Sequence, residues 1–241
     1  SLRSRASVPV DITWMCLSRD PTSPGHGWQT DRWSTPWTGL RWAVPELCGW
    51  AGRAIYFDCP HIVLGDIAAL AGAGMPRGAM VLLRREGPAL HTGCLLWDCA
   101  AARGNVPELA ALRGDVGAHQ AMGAGLVDRP RLVAGLPPGW GVRDAVRDGA
   151  LGEAIGSVHC ANPYMQPHMR LALPRLRRSR QEHWFPGVRM RHFCPELEVL
   201  FDREYAAAVA AGASVEQYVP DEPYGRYATA AAEQAEGRRA R

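Results

Sequence analysis

Ala54-Ile55-Tyr56-Phe57-Asp58-Cys59-Pro60-His61-Ile62-Val63-Leu64-Gly65-Asp66-Ile67 is an apolar run that ends on a carboxylate, turns at a proline, resumes as a second apolar run and closes on Gly-Asp. A short apolar run of this kind reads as a buried strand. A carboxylate on its end is costly to hold without a partner, and strand ends are where open α/β sheets bind ligands. Asp58 is therefore the first candidate site residue.

Outward from this stretch, the apolar runs Met80–Leu83 and Thr92–Trp97 predict further strands, and Val158-His159-Cys160 a last short one. A short helix or turn is expected from Asp66 to Leu70, and helices from about Pro107 to Leu112, over Ala118 to Leu126, and from Pro195 to Ala211 with Gly212 ending the last. Upstream, Leu2 to Ser7 reads as the end of a basic helix leading through Pro9 into a strand over Ile12 to Leu17. Ser18 to Gly25 is a turn-rich loop. Trp33, Trp37, Leu40, Trp42, Val44 and Leu47 follow at partly helical spacing, with Pro45 marking a kink or a helix start. Leu136 to Trp140 reads as a rigid loop. Strands alternating with helices predict an α/β fold with a mainly parallel sheet flanked by helices. The domain is expected to span residues 8–212, and 213–241 to form a C-terminal tail rich in Ala, Glu and Arg.

With 241 residues, 47% hydrophobic and 21% charged, the chain has enough apolar material for one large core. A net charge of +3 is too small to imply nucleic acid by itself, and no RRM, KH or zinc-finger pattern occurs. Every basic residue is an arginine. Schiff-base chemistry, pyridoxal phosphate attachment and a Walker-type phosphate loop all require lysine, so none of them fits. The seven cysteines contain no C-x-x-C pair, and most of them sit in apolar, strand-like contexts where a reduced thiol packs as a small hydrophobe. No run approaches the roughly 20 apolar residues of a membrane span, and no signal-peptide core follows Ser1, so cytoplasmic residence is expected.

Residues 54–67 resemble the metal-binding strand of nucleotide-sugar glycosyltransferases with the GT-A fold, whose pattern reads roughly Tyr-Leu-Asp-x-Asp-x-x-Val-x-Gly-Asp-Ile. Asp58 matches the first acid and Gly65-Asp66-Ile67 the tail, while Pro60 stands where the second acid belongs. Three more segments resemble that family in the same order. His91-Thr92-Gly93-Cys94-Leu95-Leu96-Trp97 looks like its Asn-Ser-Gly strand. Asp115-Val116-Gly117-Ala118-His119-Gln120 looks like the region supplying an Asp-Gln pair, with His119 in place of the acid. His159 with Asn162 to His168 looks like its His-to-Gln-Pro segment. Together the matches run from about Trp14 to Gly212 and imply a Rossmann-like GT-A fold. That fold places a first strand and helix before this point, so the chain is either an excerpt or lacks part of the usual pocket.

The resemblance implies a nucleotide-sugar donor and transfer of its hexose to a glycan, a lipid-linked or another small acceptor. Asp58 and His159 would hold a divalent metal, Mn or Mg, with His61 or phosphate oxygens completing the shell. Thr92, Gly93 and Arg170 would contact the donor, and His119 with Gln120 would lie beside the transferred sugar. From His168 to His192 a cluster of arginines with Trp184 and Phe185 suits a diphosphate or an anionic acceptor. Two other classes fit the sequence as well. One is a catalytically inactive module of this fold that binds a glycan or protein; the other is a small zinc protein using Cys59, His61, His159 and Cys160.

Overall fold

The computed structural model describes residues 1–30, 37–145, 154–179 and 189–215. In chain order the elements are α1 (Val44–Leu47), β1 (Arg53–Phe57), β2 (His61–Val63), α2 (Ile67–Ala71), β3 (Val81–Glu86), β4 (Ala89–Asp98), α3 (Cys99–Ala102), α4 (Leu109–Gly114), α5 (Val116–Asp128), β5 (Val133–Gly135), β6 (Val142–Arg143), β7 (Ser157–His159), α6 (Met169–Ser179) and α7 (Pro195–Ala210). A 3-10 turn, Leu40–Trp42, precedes α1. Helices and sheets are mixed along the chain, as the sequence predicts for the α/β class.

Two small sheets form the frame. One has the strand order β1-β4-β3-β5, the other β2-β7-β6. The expectation of a mainly parallel sheet is corrected here. Among the described strands the pairs β1·β4, β3·β4 and β2·β7 are antiparallel, and β3·β5 and β6·β7 are parallel. The cause is local. Glu86 pairs with Ala89 across Gly87-Pro88, and Gly87 takes a φ of +58°, so β3 and β4 close as a tight hairpin with glycine at the first turn position. No helix separates them.

Both faces of the first sheet are covered. Val81, Leu83, Leu95 and Trp97 point into a core shared with Leu40, Trp42, Val44, Leu112 and Met122. Leu82, Cys94 and Leu96 alternate to the other face, against Ile67, Leu70 and Trp140. Burial on both faces explains why β3 and β4 read as unbroken apolar runs rather than as alternating ones. The second sheet rests on α7, with Ile62 and Val158 packed on Leu197 and Leu200.

Several expected elements take their places. Asp66 caps α2, its carboxylate accepting from the Ala68 amide at 3.0 Å, and Pro45 lies in the first turn of α1, so it marks a start and not a kink. Two do not. Leu2 to Ser7 forms turns instead of a helix, and Arg5 there reaches Glu204 of α7 by two hydrogen bonds of 2.8 and 2.6 Å. Ile12 to Leu17 joins no sheet, since the nearest pairing is an isolated bridge from Ser18 to His26, and Trp14 is 53% exposed. Trp33, Trp184 and Phe185 lie outside the described residues, as does the tail from 216 onward.

Candidate functional site

Asp58 is the first residue past β1, and its amide donates to the Gly93 carbonyl at 2.8 Å, extending the ladder one step toward β4. On its other edge β4 bulges. Leu83 pairs with Leu95, but Arg84 pairs with His91, so Thr92, Gly93 and Cys94 have no counterpart on β3. A bulge bends its strand and re-aims side chains, and here it brings Thr92 and Gly93 to the end of β1. Gly93 has to be small. A Cβ there would fall 2.5 Å from both Nδ1 and Cε1 of His159 and 3.2 Å from Oδ2 of Asp58.

The Asp58 carboxylate, 9% exposed, is partnered on both oxygens. Tyr56 donates its hydroxyl to Oδ1 at 2.7 Å, and Nη2 of Arg41 lies 3.1 Å from Oδ1 and 3.4 Å from Oδ2. The guanidinium is fixed on two further sides, by Nη1 donating to the Thr92 hydroxyl and Nε donating to the Thr38 carbonyl at 3.1 Å. It also sits over the Tyr56 ring, 5.6 Å from the centroid. Arg41 is the middle residue of the 3-10 turn, and its neighbours Leu40 and Trp42 are buried in the core, which carries the arginine inward with them. Burial alone would lower the guanidinium's pKa, but Asp58 and Tyr56 outweigh it and raise the pKa above its usual value. Burial and the adjacent Asp58 push the Tyr56 phenol well up, so it stays a donor.

His61 and His159 face each other across the β2–β7 ladder, and their rings stack with centroids 4.3 Å apart and planes 12° apart. Nδ1 of His61 lies 3.1 Å from the Asp58 carbonyl, a contact that assigns the proton to Nδ1 and leaves Nε2 as a bare acceptor. That Nε2 is buried and has no hydrogen-bond partner among the described residues. Nε2 of His159 stands 3.7 Å from Oδ2 of Asp58, too far for a hydrogen bond. Burial, then the neighbouring His159, lowers His61 well below its usual range. Burial also lowers His159, against the opposing pull of Asp58 and Asp144. Both rings are neutral at pH 7, and the positive charge in contact with Asp58 is the guanidinium of Arg41.

The remaining sequence-predicted residues divide. His119, on α5, accepts from Trp42 Nε1 at 2.8 Å, and burial with nearby Arg41 pulls its pKa down to about 4. It adjoins the cluster through Trp42 and Arg41. Gln120 is exposed on the same helix. Arg170, on α6, pairs with Asp202 and with Glu198 at 3.7 Å, and lies over the Phe201 ring at 5.3 Å. Its partners are all on α7, not on Asp58. The structure thus brings together Asp58, His61, His159, Thr92 and Gly93, sets His119 beside them, and gives Arg170 a different neighbourhood.

These residues do not fit the divalent metal that the sequence led us to expect. Arg41 and Tyr56 already engage the Asp58 oxygens, and Pro60 offers no ligand. In-plane lone pairs of two nearly parallel imidazoles run side by side, whereas a metal ion needs ligands that converge. Among the described residues no group of three or more His, Cys, Asp or Glu side chains is arranged to hold a metal ion, which also sets aside the Cys59, His61, His159, Cys160 quartet. Sequence reasoning missed Arg41.

No family model matches the chain, and no curated protein matches it. Among solved structures it is similar to a crystal structure of mouse xyloside xylosyltransferase 1 in its apo form, at 16% identity and a TM-score of 0.40, over 53% of this chain and 64% of that one. The chain therefore spans less than two thirds of that protein's length. No helix among the described residues is long and apolar enough to cross a membrane.

Proposed function

We propose that the protein transfers a sugar from a nucleotide-diphosphate sugar to a hydroxyl group of a glycan, lipid-linked or other small acceptor, with the donor's diphosphate bound at the Asp58 end of β1. One observation carries this reading. Asp58 and His159, a hundred residues apart in the sequence, stand 3.7 Å apart at the ends of strands from two sheets, with Gly93 between them. Strand ends are the ligand-binding edge of α/β folds, and the glycine here lets the His159 ring close on the end of β1 beside Asp58. The resemblance of residues 54–67 and 91–97 to nucleotide-sugar enzymes supplies the ligand class.

In such a transfer the bond from the sugar's C1 to the diphosphate oxygen breaks and its electron pair leaves with the diphosphate. The acceptor oxygen bonds to C1, and the acceptor's proton ends on the departing diphosphate or in water. Protein charge placed where negative charge develops favours this step. By the resemblance, His119, neutral at pH 7 with its Nδ1 accepting from Trp42, would lie beside the transferred sugar.

Incubation with UDP-, GDP- and dTDP-sugars, followed by chromatography for free nucleoside diphosphate, tests the proposal. Release by the unaltered protein that Asp58→Asn abolishes is the expected result. Absence of both release and any donor-induced rise in melting temperature would rule the reading out. A second reading is favoured by the full engagement of Asp58 by Arg41 and Tyr56: a catalytically inactive module of the same ancestry that binds a glycan or protein. Donor or glycan binding without diphosphate release would select it.

A further inference from the structure

We propose that the guanidinium of Arg41 is the cation that receives the donor's diphosphate, so that nucleotide binding at Asp58 proceeds without a divalent metal. This rests on the sugar-nucleotide reading above and specifies how that site takes its ligand.

A diphosphate cannot sit beside a bare carboxylate. Two like unit charges about 4 Å apart repel by ~4 kcal/mol at an effective dielectric near 20, so a cation has to stand between them. Here the protein supplies it. Arg41 is gripped by Asp58, Thr92 and the Thr38 carbonyl, which fixes the plane of its fork before any ligand arrives. A guanidinium carries five N–H groups. Nε uses one on Thr38, Nη1 one on Thr92 and Nη2 at most two on Asp58, leaving at least one on Nη1. Nη1 is the nitrogen held by Thr92, on the bulge of β4 beside the end of β1. A planar, permanently charged fork is well suited to phosphate oxygens.

The missing second acid has a physical reason on this reading. A metal ion needs more than one anionic ligand, whereas this guanidinium is held in place by one carboxylate and two neutral oxygens. With Pro60 in the acid's place, the cluster keeps one anion, Asp58, for one cation, Arg41.

The test is calorimetric titration of UDP, GDP and dTDP into the unaltered chain, once in EDTA and once in manganese chloride, with manganese alone as a third titrant. The expected result is at least one nucleotide bound equally well in both buffers, with no saturable manganese uptake. Binding that requires manganese, or stoichiometric uptake of manganese alone, would overturn the Arg41 proposal and leave the sugar-nucleotide reading standing. No nucleotide binding in either buffer would overturn both. Arg41→Gln, if it folds, should weaken nucleotide binding by roughly tenfold or more, the loss of one charge-assisted hydrogen bond, and manganese should not restore it. Arg41→Lys keeps the charge without the fork and serves where Arg41→Gln does not fold; unchanged affinity in either folded variant would also overturn the proposal.

Discussion

The imidazole of His159 packs so closely on Gly93 that a methyl group at position 93 would lie 2.5 Å from two of its ring atoms. This contact joins the bulge of β4 to the end of β7 and brings the two sheets together at Asp58. Gly93→Ala forces the ring or the bulge to move. Overpacking of this kind costs about 1–3 kcal/mol, measurable by urea denaturation. In a His159→Ala background the same substitution should cost clearly less. Equal losses in both backgrounds would show that the two residues do not press on each other.

Tyr56→Phe removes the 2.7 Å hydrogen bond to Asp58 and leaves the aromatic packing in place. Hydrogen bonds to charged groups are worth about 1.5–3 kcal/mol, and a loss of that size is expected in the unfolding free energy. A change near zero would mean that Arg41 alone satisfies the carboxylate.

Trp42 donates to Nδ1 of His119, which must therefore be unprotonated for the bond to exist. Trp42→Phe removes the donor and frees that nitrogen to take a proton. NMR titration of the His119 ring should show its pKa rising from about 4 toward the ordinary 6.5. An unmoved titration would place the whole depression in burial and in Arg41.

Acid should destabilise the protein before its carboxylates titrate. His61, His119, His159 and His168 are all held below their ordinary 6.5, each chiefly by burial. Unfolded, these histidines take up protons as the pH falls through 6.5, while the folded chain resists. The unfolded state then binds more protons, and stability drops with falling pH by up to ~1.4 kcal/mol per pH unit for each such group. Unfolding free energies between pH 7 and 5 should fall steeply enough to report more than one proton. A flat profile over that range would contradict the neutral, buried state assigned to these rings.

The sequence placed Asp58 at a strand end and His159 at another because both follow short apolar runs, and a strand's end is visible in its composition. It also carried the start and stop signals of α7, Pro195 and Gly212, which the structure uses. What it did not disclose depends on pairing. Parallel and antiparallel strands look alike when both faces are buried, so the signal lay in Gly87-Pro88 and not in the flanking runs. The stacking of His61 on His159 follows from a cross-strand register that one chain cannot reveal by itself. Arg41 was hidden for a different reason. In a tryptophan-rich turn an arginine reads as the solvent-facing member, and only its three partners, all distant or on other elements save Thr38, show that it points inward.

Spectra of the protein labelled with ¹⁵N in its eight histidines, titrated in EDTA with UDP, GDP, dTDP and their sugars, test donor binding at Asp58 most directly. Saturable movement of the His159 and His61 ring signals with at least one donor is expected, because both rings flank the carboxylate. If the ring signals of His61 and His159 stay unmoved with every donor, sugar-nucleotide binding at Asp58 is contradicted.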